Sequence, residues 1–78
     1  MDWIIKENRL TKTFKDDSFS SIIDKLIIVA RKADELKHHP DFSVLEYNKI
    51  QFELWTHSAN SVTEVDYKLA EIIDGIFG

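Results

Sequence analysis

Lys49-Ile50-Gln51-Phe52-Glu53-Leu54-Trp55-Thr56-His57 is the most regular stretch of the chain, with Ile50, Phe52 and Leu54 alternating against Lys49, Gln51, Glu53, Trp55 and His57. A period of two sends successive side chains to opposite faces, so Lys49 to His57 reads as a half-buried strand. His57 points away from its apolar row. Upstream, Phe42 to Tyr47 reads as a second strand. Two shorter extended segments, Trp3 to Asn8 and Leu10 to Phe14, open the chain around a tight turn at Asn8-Arg9.

Between these pairs of strands lies a helix. Asp16-Asp17-Ser18 supplies short side-chain oxygens that accept from unpaired first-turn amides. Phe19, Ile22, Ile23, Leu26, Ala30 and Ala33 then recur at helical spacing on one face, with Asp24, Lys25, Arg31, Lys32 and Glu35 on the other. Ile28 falls among the charges, either as an isolated exposed side chain or as a subunit contact. Pro40 cannot continue a helix and biases His39 toward extended backbone, so the helix ends near Lys37 or His38.

After the last strand, Ser58-Ala59-Asn60-Ser61 is a loop. Thr63-Glu64-Val65-Asp66 has the form of a capping box, with Thr63 as cap and Asp66 reaching back. Val62, Val65, Leu69, Ile72, Ile73 and Ile76 give the second helix an apolar face, which frays toward Gly75 and Gly78. The predicted fold is α+β, a two-layer β-β-α-β-β-α sandwich with a four-stranded antiparallel sheet and two helices on one face. Its uncovered face and edges invite pairing with a copy, so a homodimer or homotetramer is expected.

Residues 1–78 make one domain, and a chain of this length buries only about 60% of its extended surface. With no cysteine, neither disulfides nor thiolate-bound metal can hold it together. A composition 44% hydrophobic and 31% charged is that of a folding globular protein. The net charge of −4, with scattered basic residues, argues against nucleic acid as a partner. The start lacks a basic, apolar leader, and runs such as Leu26 to Ala30 are far too short to cross a membrane; a cytoplasmic location is expected.

All three histidines, His38, His39 and His57, stand at element boundaries, and imidazole is the side chain that exchanges protons near neutral pH. Each also has a plain structural reading: His38 and His39 against a helix C-terminus, His57 as an exposed strand residue. A metal site is disfavoured because adjacent His38 and His39 diverge at the Pro40 corner and the chelating His-x3-His spacing is absent. No metal is expected. A nucleophilic triad has no cysteine or glycine-flanked serine to build on.

Asp34, four residues before His38-His39-Pro40, then Tyr47-Asn48, Thr56-His57, Thr63 and Asp66 together resemble the pattern of the pterin-4a-carbinolamine dehydratases, known in animals also as dimerisation cofactors of a hepatocyte nuclear factor. Leu10 through Phe14, Phe19 and Lys68-Leu69-Ala70 extend the likeness over nearly the whole chain. Trp55 departs from it where a small or polar residue is usual, and Ser61-Val62 stands in place of glycine-leucine.

The resemblance implies dehydration of 4a-hydroxytetrahydrobiopterin to quinonoid dihydropterin, the pterin being substrate, with no metal and no cofactor. It implies His38 and His57 as the proton donor and acceptor, the sequence not fixing which is which, and His39 as the residue that binds and orients the pterin. Pro40 and the segment Trp55, Thr56, His57 and Ser58 would line the pocket. Asp34 is read as orienting His38 through a carboxylate–imidazole hydrogen bond, and Asp66 mainly as a helix cap. The other reading is a protein-interaction module, since the animal relatives also bind a transcription factor's dimerisation helices.

Overall fold

Residues 2–78 are described by a computed structural model. β1 (Ile4–Lys6), β2 (Arg9–Lys15) and α1 (Phe19–Leu36) are followed by β3 (Asp41–Leu45), β4 (Lys49–Leu54) and α2 (Glu64–Phe77). Two ββα units in succession thus share one antiparallel sheet of order β1-β2-β4-β3. This is the predicted α+β architecture.

The alternation along β4 builds the core. Ile50, Phe52 and Leu54 lie opposite Phe14, Lys12 and Leu10 of β2, and this face packs against Ile22 and Val29 of α1 and Leu69, Ala70 and Ile73 of α2. Phe52 is fully buried, with the rings of Trp3, Phe14, Phe42 and Phe77 at 6.5, 6.1, 6.4 and 5.5 Å. Lys12 interrupts the apolar row, and a charge there needs a partner. Its ammonium meets Asp74 Oδ1 at 2.8 Å, and Trp3 Nε1–H donates to the same oxygen at 3.0 Å, tying β2 to α2.

Several boundaries differ from the sequence reading. Arg9 already pairs with Lys6, so the first turn is Glu7-Asn8, both at positive φ (52° and 64°), rather than Asn8-Arg9. Positive φ at both central residues matches the right-handed twist of a two-residue hairpin. Glu46 and Tyr47 likewise turn at φ 50° and 56°, which ends β3 at Leu45 instead of Tyr47. β4 stops at Leu54, short of His57.

α1 is capped by Ser18, whose Oγ accepts the Ser21 amide at 3.1 Å. Asp16 beside it accepts from Lys25 Nζ at 2.8 Å and from the Asp17 amide at 2.7 Å. The Lys25 ammonium above all, then that amide, hold the Asp16 carboxyl below its ordinary value. The buried face of α1 is Ile22, Val29 and Ala33, flanked by Leu26 and Leu36, so Ile22, Leu26 and Ala33 of the predicted face turn inward while Phe19, Ile23 and Ala30 do not. Those three remain exposed, with Ile27 continuing the stripe and Phe19 52% accessible. Ile23, Leu26, Ile27, Ala30, Pro40 and Phe42 line a groove of about 430 Å³ between α1 and β3. Among the described residues no helix is long and apolar enough to cross a membrane.

Candidate active site

The C-terminus of α1 is turned by Lys37, which adopts a left-handed conformation (φ 54°) while the His38 amide reaches back to the Ala33 carbonyl at 3.1 Å. The reversal separates the two neighbouring imidazoles. His38 is drawn inward, its side chain 15% accessible, and His39 outward, at 62%. Pro40 then fixes the approach to β3.

Facing this corner is the exit of β4. The ladder ends at Leu54, yet the chain stays extended long enough for the alternation to persist: Trp55 lies toward Arg9 and Asp41, Thr56 toward the start of α2. A tight loop follows, in which the Thr56 amide donates to the Ser61 carbonyl at 2.9 Å and the Asn60 amide to the His57 carbonyl at 3.2 Å. His57 and Ser58 are thereby presented on a short loop rather than on a strand.

Lys37, His38 and His39 on one side and Trp55 through Ser58 on the other enclose a cleft of about 280 Å³. All three histidines, with Trp55, Thr56 and Ser58, are therefore brought together. Pro40 is not among them; it lines the larger apolar groove next door. Tyr47, in the turn between β3 and β4, is exposed and outside the cleft. The larger groove holds Asp34 and His39 at one end but otherwise only apolar groups, whereas the smaller cleft gathers the three histidines.

The carboxylate behind His38 is Asp66, not Asp34. His38 Nε2 lies 2.5 Å from Asp66 Oδ1. Asp34 instead meets His39, Nε2 to Oδ1 at 2.8 Å, near the surface. Asp66 is completely buried and still serves as the predicted cap, its Oδ2 accepting the Thr63 amide at 2.9 Å and the Thr56 hydroxyl at 2.8 Å. Because the Thr56 proton is given to Asp66, the 2.6 Å contact between Thr56 and Thr63 runs from the Thr63 hydroxyl. With Asp66 accepting as a carboxylate, the donor of this bond is His38 Nε2–H, and His38 Nδ1 makes no hydrogen bond among the described residues.

Sequence reasoning found Asp66 as a cap and missed its second partner. The available signal was the residue type: glutamate or glutamine is usual at the third helical position of a capping box, and the shorter aspartate keeps the carboxylate near the helix end. Among the described residues no three His, Asp or Glu side chains are grouped to hold a metal ion.

An open cleft with imidazoles on both walls and a buried carboxylate behind one of them places the chain in the class of small α+β domains with a histidine-lined cleft. Comparison narrows the class. Residues 1–76 match the pterin 4 alpha carbinolamine dehydratase family, and the chain belongs to it.

A protein of Sulfolobus acidocaldarius provisionally named pterin-4-alpha-carbinolamine dehydratase is 42% identical over 74 residues, covering 95% of this chain and 80% of the relative. One from Chloroflexus aurantiacus with the same provisional name is 38% identical over 77 residues, covering 99% and 82%. Among solved structures, a Brucella melitensis transcriptional coactivator/pterin dehydratase superposes with a TM-score of 0.89 at 34% identity, over 99% of this chain and 81% of that one. A pterin dehydratase-like RuBisCO assembly factor of the alpha-carboxysome shares the fold, with a TM-score of 0.78 at 20% identity over 100% and 92% of the two chains.

Proposed function

We propose that residues 1–78 act as one domain that dehydrates 4a-hydroxytetrahydrobiopterin to quinonoid dihydropterin. The single observation that carries this reading, beyond family membership, is that imidazoles stand on both walls of one cleft with Asp66 behind His38. In the reaction the 4a-hydroxyl takes up a proton and leaves as water, while the neighbouring ring nitrogen gives up its own. An acid within reach of the hydroxyl and a base within reach of the ring nitrogen are needed.

His38 suits the base. A proton taken at Nδ1 makes an imidazolium whose charge Asp66 stabilises through the Nε2–H it already holds. His57, on the facing wall, is then the acid for the departing hydroxyl. His39, oriented by Asp34 at the rim, binds and aligns the ring, and the pterin is substrate, with no metal or cofactor called for.

Formation of quinonoid dihydropterin from freshly generated carbinolamine tests the assignment. His38→Ala and His57→Ala each lose roughly 10²- to 10⁴-fold in rate. Variants as fast as the wild type would remove both roles.

The uncovered stripe on α1 supports self-association. Phe19, Ile23 and Ile27 run along the helix at four-residue steps, and Ile27 is 48% accessible. A second copy offering the same stripe would bury it symmetrically, giving a homodimer or, with the open sheet edges also used, a homotetramer. Sedimentation should find an oligomer for the wild type and a smaller species for Ile27→Asp. A wild type monomeric at all concentrations would end this reading. The alternative, an interaction module, rests on the same stripe, which an amphipathic helix of another protein could also cover.

A further inference from the structure

Trp55 is held from several sides on the face of the sheet that the helices leave open. The register explains why. Glu53 pairs with Thr11 on one side and Asp41 on the other, so two residues further on the chain comes level with Arg9 and stands diagonally from Asp41. Trp55 Nε1–H donates to Asp41 Oδ2 at 3.1 Å. The Arg9 guanidinium lies 4.7 Å from the indole centroid and is itself drawn to Glu53 at 3.6 Å.

His57 rests against that same indole, the ring centroids 4.2 Å apart and the planes at 70°. The contact forms where the chain leaves the extended run at Thr56 and enters the turn closed by the Ala59 amide on the Thr56 carbonyl. The three imidazoles of the cleft are consequently fixed by different means. Asp66 holds His38 and Asp34 holds His39, each by a hydrogen bond; no equivalent bond is made by the His57 ring among the described residues. The edge-to-face contact with Trp55 is what remains to set its direction.

We infer that Trp55, braced by Asp41 and Arg9, is a positioning residue that aims the His57 ring into the cleft. The inference rests on the dehydratase reading and adds to it residues that lie outside the cleft. Trp55 could instead serve only as a flat wall for the substrate ring. A wall would act on binding, whereas an aiming device acts on the step in which His57 moves a proton.

Asp41 separates these roles, because it lies outside the cleft and holds the indole by a hydrogen bond to its nitrogen. Asp41→Ala and Asp41→Asn are compared with the wild type by two measurements, the carbon-bound proton signals of the His57 ring in NMR spectra and the kcat and KM of carbinolamine dehydration. In Asp41→Ala the His57 signals move toward those of a free histidine and kcat falls roughly ten- to a hundredfold, with KM nearly unchanged. Asp41→Asn, whose amide oxygen still accepts the indole proton, restores both. Unmoved His57 signals in Asp41→Ala would overturn the brace whatever the activity. A rise in KM at constant kcat would overturn positioning in favour of a binding wall. A wild type without dehydratase turnover would instead sink the underlying reading, and the spectra would still report on the brace by themselves.

Discussion

Asp66→Asn lowers the rate of carbinolamine dehydration by roughly 10²- to 10⁴-fold while the protein stays folded. The carboxylate accepts three hydrogen bonds at once, from His38 Nε2, the Thr56 hydroxyl and the Thr63 amide. An amide of the same shape has one oxygen and one NH2 group, so it cannot accept on both sides. If its oxygen keeps the cap, the NH2 faces His38 and obliges Nε2 to become an acceptor, which moves the imidazole proton to Nδ1. The nitrogen needed as a base is then occupied, and no negative charge remains behind the ring.

Loss of a buried acceptor costs about 1–3 kcal/mol of stability. A domain of this size has on the order of 4–12 kcal/mol to lose, so the variant remains native and its kinetics are interpretable. Turnover measured together with the nitrogen shifts of the His38 ring checks both halves of the prediction. Wild-type turnover with the proton relocated would deny His38 its role as base.

Phe52→Ala is the most damaging single truncation in the core, with an expected loss of about 3–5 kcal/mol. The ring is fully buried on the central strand β4, and four other aromatic rings surround it within 6.5 Å. No disulfide supplements this packing, since the chain has no cysteine. Against a total of order 4–12 kcal/mol the loss brings the domain near its unfolding threshold. Phe42→Ala offers the contrast, because its ring is 48% accessible at the sheet edge and a smaller loss follows. Urea unfolding of the two variants measures the difference, and equal midpoints would show that Phe52 is not the keystone of the core.

Most of the architecture was legible because the signals were local and of one period. The alternation in Lys49 to Leu54, the capping chemistry at Ser18 and Thr63, and the stop at Pro40 each act within a few residues. Which stripe of α1 faces inward was not. Ile22, Leu26 and Ala33 were read correctly as inward, but Val29 on one flank and Phe19, Ile23 and Ala30 on the other both continue them at helical spacing, and only the placement of α2 and the sheet decides which flank is covered. The site was partly legible for a related reason. Asp34 stands at helical spacing from His38, but the left-handed Lys37 rotates the chain so that His39 meets it instead. Asp66 is distant in sequence from His38, and its capping role already accounted for its presence.

The succession of two ββα units has a counterpart for every part of the cleft. The exit of β4, the start of α2 and the end of α1 build the histidine site; by the same topology the exit of β2, the start of α1 and the end of α2 meet at the opposite end of the sheet. There the space is sealed: Phe77 packs on Phe14 and Phe52, Lys25 lies 5.6 Å over its ring, and Asp16 holds the lysine. One ββα unit thus ends in a mouth and the other in a plug, and because the plug packs on Phe52 the closed end anchors the core while the open end carries the cleft.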